Sequence, residues 1–128
     1  MEGRNVIKVG LCPDFKLNST IVEGIANLFR KNVTVLGRGI NIKIISSRDK
    51  DAMIIAEIIR IALNLNDNHM VECDEVTNSI SKMAEKYITG VNTLIIVRKR
   101  STQLCPNPIK TEVAQYIPER IPVFEPMF

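Results

Sequence analysis

Ile44-Ile45-Ser46-Ser47 runs through a short polar turn into Asp51-Ala52-Met53-Ile54-Ile55-Ala56-Glu57-Ile58-Ile59, so an apolar strand is followed almost at once by a strongly apolar helix. A strand that is apolar on both faces has to be covered on both, and a connection this short delivers a helix that packs straight back onto the sheet. The helix is expected from about Asp51 to Leu65, with Glu57, Arg60 and Asn64 on one narrow polar stripe. One row, Ala52, Ile55, Ala56, Ile59, Ala62 and Leu63, can face the sheet. A second row, Ile54, Ile58, Ile61 and Leu65, is also apolar and needs cover, either from a neighbouring helix of the same domain or from a two-fold partner, which would make the protein a homodimer through this helix.

The rest of the chain repeats the alternation. Val6 to Leu11 reads as a first strand with nearly continuous apolar residues, ended by Pro13. Thr20 and Glu23 have the spacing of a capping box, and Ile21, Val22, Ile25, Leu28 and Phe29 recur on one face of a first helix reaching Arg30. Val33 to Leu36 fits either a short strand before the Gly37-Arg38-Gly39 turn or the exit of that helix; Ile40 to Ser46 is the second long strand, and a hairpin between these two runs is the local alternative. Val76, Ile80, Met83, Ala84 and Tyr87 predict a third helix ending near Thr89-Gly90, before a core-type strand from Thr93 to Val97. Pro106 and Pro108 bracket the start of an expected last helix carrying Ile109, Val113, Tyr116 and Ile117, stopped by Pro118 and Pro122, with Val123-Phe124 as a terminal strand. The fold class is α/β, a three-layer sandwich on a mostly parallel central sheet, in a single domain over residues 1–128.

Composition narrows the function classes. With 45% hydrophobic and 24% charged residues the chain is globular, and no apolar run approaches the roughly 20 residues of a membrane helix. Met1 to Lys8 carry Glu2 and Arg4 and enter a strand directly, so no secretory signal is expected and the cytoplasm is the expected location. Cys12, Cys73 and Cys105 make no CxxC pair, and an odd count is expected to leave reduced, packed thiols. The net charge of +3 is mild and its one cluster, Arg98-Lys99-Arg100, suits a solvated loop, so nucleic-acid binding is not expected. Gly37 and Gly39 form neither a GxGxxG nor a Walker loop, and neither a cofactor nor a metal site is expected.

The segment SSRDKDAMIIAEI resembles the second strand and helix of the histidine phosphatase (phosphoglycerate-mutase-like) superfamily, where the pattern is typically SSPLxRAxQTAEI. Leu17-Asn18 and Leu28 fall at the spacing of the family's leucine-threonine helix start and later leucine, with Ile21 where a glycine is usual. Leu94-Ile95-Ile96-Val97-Arg98-Lys99 resembles the second motif. The resemblance implies the phosphoglycerate-mutase-like fold but a degenerate member of it. The first strand ends Val9-Gly10-Leu11-Cys12 without the phosphoryl-accepting histidine, Asp51 stands in the place of a phosphate-binding arginine, and Lys99 in that of the second histidine. For the acid/base glutamate the resemblance offers Glu72, Asp74 and Glu75.

In open α/β sheets reactive groups sit beyond the carboxyl ends of the strands. Ser46, Ser47, Arg48, Arg98 and Lys99 are the candidates there for holding an anion, and a phosphate-containing small molecule is the corresponding partner. Ser47 or Asp49 can equally cap the following helix. Cys12 follows the first strand, where a nucleophile would stand, but position 18 is Asn18 and no Cys-x5-Arg phosphate loop exists. His69, the single histidine, lies in an expected loop and is read as solvated rather than catalytic. No catalytic residue is assigned. The expected function is that of a non-catalytic pseudoenzyme domain acting as a binding or assembly module. The alternative is a small enzyme or binder acting on a phosphorylated metabolite or nucleotide at the strand ends, using Cys12 or the Ser46-Ser47-Arg48 loop; a third is a general Rossmann-like metabolite binder.

Overall fold

The structure, a computed structural model, describes residues 4–36, 41–72, 80–100 and 107–127. The chain runs β1 (Arg4–Leu11), α1 (Ser19–Leu36), β2 (Ile42–Ser46), α2 (Lys50–Ala62), a 3₁₀ turn (Asp67–His69), β3 (Met70–Glu72), α3 (Ile80–Tyr87), β4 (Thr93–Lys99), β5 (Ile109–Tyr116) and β6 (Glu125–Pro126). The strands form one sheet in the order β3-β2-β4-β1-β5-β6. β1 pairs parallel with β4, β4 with β2 and β2 with β3, whereas β5 and β6 are antiparallel additions.

That order determines which face each helix covers. Going from β1 to β2 and from β2 to β3 the chain steps across the sheet in one direction, and right-handed crossovers then place α1 and α2 on the same side; the return from β3 to β4 puts α3 on the other. The packing agrees. Ile25 and Phe29 of α1 and Ala52, Ile55, Ala56 and Ile59 of α2 bury against Ile7, Val9, Leu11, Ile44, Ile95 and Val97. Met83 and Ala84 of α3 bury against Val6, Ile45, Leu94 and Ile96. Period-2 alternation thus assigns every strand residue to the α1/α2 face or the α3 face. Among the described residues no helix is long and apolar enough to cross a membrane.

Several boundaries differ from the sequence reading. α1 is capped by Asn18, whose Oδ1 accepts from the Ile21 amide at 2.9 Å, so the capping box of Thr20 and Glu23 does not set the start. The helix also continues through Val33 to Leu36, which removes the short strand; Gly37 to Ile40 lie outside the described residues, as does Val76. α2 begins as expected, with Asp49 Oδ2 accepting from the Ala52 amide at 3.2 Å, but ends at Ala62 rather than Leu65. Asn64 adopts φ 57°, the left-handed conformation in which helices terminate. Arg60 reinforces that end, donating from Nη1 to the Leu65 carbonyl at 2.8 Å and pairing with Glu57. The three-residue β3 was not anticipated.

The largest correction concerns Ile109 to Tyr116, expected as a helix and found as β5. β1 offers an open edge, and the segment pairs with it along its whole length, from Leu11↔Ile109 to Arg4↔Tyr116. Ile109 and Val113 then pack on the α1/α2 face and Ala114 and Tyr116 on the α3 face, so alternation replaces the helical period. The expected terminal strand Val123-Phe124 is displaced to Glu125–Pro126.

The second apolar row of α2 is largely covered within the domain. Ile58 and Leu65 pack against the α1/α2 core and Ile54 is half-buried, leaving Ile61 60% exposed. Ile45, Ile55, Ile59, Ile95 and Val97, all on central strands or the helix packed on them, are fully buried. Ile59→Ala is therefore expected to cost about 2–5 kcal/mol, read from the denaturant midpoint at unchanged slope. A loss below about 0.5 kcal/mol, typical of surface positions, would contradict this packing.

Candidate functional site

The carboxyl ends of β1, β2 and β4 meet at one edge of the sheet. The Ser47 amide donates to the Val97 carbonyl at 3.1 Å, the Arg100 amide to the Leu11 carbonyl at 2.7 Å, and the Cys12 amide to the Pro108 carbonyl at 2.9 Å. These bonds continue the ladders past the strand ends and hold Leu11, Ser47 and Arg100 in a fixed relation. The first turn of α2 stands over the same edge.

Lys99 is at its centre. Its Nζ lies 3.2 Å from Asp51 Oδ2, 3.4 Å from Asp49 Oδ1 and 3.4 Å from the Pro13 carbonyl oxygen. The hydrogen bond to Asp51 is the main reason its pKa lies above the ordinary lysine value; Asp49 adds to the effect, and partial burial opposes it. Asp51 and Lys99 are the positions that the sequence resemblance assigns to a phosphate-binding arginine and a histidine. Here they form an ion pair with each other, and Asp49 lies beside them.

The five anion candidates do not form one cluster. Alternation sends Ser46 and Lys99 to the α1/α2 face, and Ser47 and Arg98 to the α3 face. Ser46 is buried and Arg48 exposed. The hydroxyls of both serines are buried without a hydrogen-bond partner. Burial lowers the Arg98 pKa from its ordinary value, because removing a guanidinium from water disfavours its charge. Helix capping falls to Asp49, not Ser47.

Cys12 corrects the expectation of reduced thiols, since it is disulfide-bonded. Cys73 and Cys105 lie outside the described residues. Cys12 Sγ is 2.7 Å from Asp14 Oδ1, but a disulfide sulfur has no proton to donate, so this is a close polar contact. His69 is not a solvated loop residue. It is half-buried in the 3₁₀ turn, its Nδ1 2.7 Å from the Ile42 carbonyl oxygen, at the opposite end of β2 from the strand-end edge. That carbonyl can only accept, so Nδ1 carries the proton in this contact. Of the acid/base candidates, Asp74 and Glu75 lie outside the described residues and Glu72 has a described backbone alone. Among the described residues no three His, Cys, Asp or Glu side chains come together as a metal site.

Sequence reasoning missed Arg100, whose side chain lies over Gly10 and whose Nη2 donates to the Asn107 carbonyl. The signal was present in Arg98-x-Arg100, because residues two apart on a strand share a face.

Among the described residues, four parallel strands carry two helices on one face and one on the other, a phosphoglycerate-mutase-like fold shared with two solved structures. A putative phosphohistidine phosphatase, SixA, from Agrobacterium tumefaciens superposes with a TM-score of 0.59 at 14% identity, over 88% of this chain and 91% of that one. A phosphoglycerate mutase from Plasmodium falciparum superposes with a TM-score of 0.54 at 15% identity, over 95% and 89%. No family model and no curated protein matches the sequence.

The raised Lys99 pKa has a definite sign. Charge on Lys99 stabilises the fold fully below the unfolded-state pKa, about 10.4, and that contribution is lost as pH rises through the higher folded-state value. Thermal melting of wild type against Lys99→Gln should show a stability gap that is constant from neutral pH to about pH 10 and closes above it. A gap that closes near neutral pH would be inconsistent with this ion pair.

Proposed function

We propose that this chain is a non-catalytic phosphoglycerate-mutase-like domain acting as a binding or assembly module. The observation that carries the reading is the Lys99–Asp51 ion pair, with Asp49 beside it. A transferring phosphoryl group carries negative charge, and catalysis of its transfer rests mainly on cationic groups already aimed at that charge. Here the cation is already neutralised by carboxylates that would repel the incoming group.

The nucleophiles support the same reading. Lys99 stands where the resemblance implies a histidine, the first strand ends Val9-Gly10-Leu11-Cys12 without one, and His69 belongs to the other end of the sheet. Cys12 is tied up in a disulfide and so offers no thiolate. The alternative of an enzyme at the strand ends is left with Ser46 and Ser47, and no histidine or carboxylate is recorded as a hydrogen-bond partner of either hydroxyl to act as its base. Self-association through α2 is the assembly form of the proposal, supported by the exposed Ile61. Sedimentation of wild type and Ile61→Glu tests it: a dimer near twice 14.4 kDa that becomes a folded monomer in the variant is the expected result.

The expected outcome for activity is no hydrolysis of an aryl phosphate above the buffer rate, with or without reductant, and no acid-labile phosphohistidine after incubation with a phosphoryl donor. Turnover that disappears in Ser47→Ala or Cys12→Ser, or label that disappears in His69→Ala, would overturn the non-catalytic reading.

A further inference from the structure

The loop over residues 117–124, which returns the chain from β5 to β6, stands beside the amino-terminal end of β1, at the opposite end of the sheet from the carboxyl edge. Of the five large apolar side chains left exposed among the described residues, three, Ile117, Ile121 and Val123, belong to this loop; Ile121 is 85% and Val123 78% exposed. Single exposed apolar residues are ordinary, but a cluster this tight marks a contact surface. Ile121 and Arg120 line both of two open grooves of about 440 Å³ each, one reaching Asn5 and Gln115 of the sheet and the other Tyr116 and Glu85 of α3. Ile121 is thus a ridge between two hollows.

The ridge is held in shape from both sides. The Arg120 amide donates to the Ile117 carbonyl at 3.1 Å, closing a turn with Pro118 and Glu119 at its centre. Glu119 adopts φ 66°, the left-handed conformation for which such turns favour glycine, so a strained carboxylate is kept at the rim of a groove. On the far side the Phe124 ring packs against the α3 core, with Lys8 Nζ 4.2 Å from its centroid. A preformed surface loses little conformational entropy when it is occupied. Charge then selects the occupant. Glu85, Glu119 and Glu125 line the grooves against the single cation Arg120, and none of the four takes part in an ion pair among the described residues. The chain as a whole carries +3, so this acidic excess is local. An apolar ridge with an acidic rim complements an apolar segment with basic flanks, and it repels both anionic lipid headgroups and, across a two-fold axis, the same patch on a second copy.

We propose that the 117–124 loop docks a peptide segment of another protein, apolar at its centre and carrying lysines or arginines at its ends. This gives the proposed binding role a partner class; it rests on that role and not on the absence of catalysis, which the aryl phosphate assay decides separately.

Amide-resolved NMR titration of the full chain at low salt tests it, with a synthetic peptide of alternating leucine and serine ended by lysine pairs in one arm and the same core ended by glutamate pairs in the other. Saturable shifts centred on Ile117, Ile121 and Val123 are expected with the lysine-ended peptide, weakened at least tenfold in Ile121→Ser/Val123→Ser. Ile61→Ser, an exposed apolar position on α2, should leave that affinity unaltered, which separates this surface from self-association through α2. Glu119→Lys/Glu125→Lys should reverse the preference toward the glutamate-ended peptide, and provides a second test if the serine variant melts below the wild type. Equal affinity for the two peptides, shifts that do not saturate, or unchanged affinity in a serine variant that keeps its wild-type melting temperature would overturn the proposal. So would a dimer that the serine variant converts to a monomer, which would assign the ridge to a second copy, or binding to anionic lipid vesicles that the same variant loses, which would assign it to a membrane.

Discussion

Burial of β4 on both faces is the constraint on which the rest of the molecule depends. Leu94, Ile95, Ile96 and Val97 are all fully buried, two against α3 and two against α1 and α2. A strand of this kind has to lie between other strands and under helices, and β1 and β2 provide parallel neighbours on either side. Once β4 is central, the crossover directions assign the helices to their faces. The carboxyl ends of three strands are then brought to one edge, where the chain's chemistry has to be judged.

At that edge the described charges pair with one another. The fold superposes on both solved neighbours over most of its length, and at the two positions that the sequence resemblance assigns to an arginine and a histidine an Asp and a Lys form an ion pair. The scaffold and the charges it displays are therefore separable properties.

Legibility followed the same division. The strand-turn-helix from Ile44 to Ile59 was readable because strand and helix are each contiguous and strongly patterned, and the residues expected in the core are fully buried. Ile109 to Tyr116 was not, because its apolar positions fit both periods and the choice depended on the open edge of β1, a tertiary fact. The three residues of β3 are too few to carry a pattern. Among site residues the types were visible and the faces were not: Ser46 and Ser47 are adjacent in sequence and on opposite sides of the sheet. The cysteine count argued against a disulfide, and a count cannot reveal that Cys12 is nonetheless bonded.

The two borders of the sheet are both short. One ends in β3, three residues long, and the other in β6, two residues long and containing Pro126, which has no amide hydrogen to donate. Long, flat outer strands invite another chain to extend the hydrogen-bonding ladder, and brief or proline-bearing ones deny it a template. Among the described residues, neither border offers a long, flat template for such an extension.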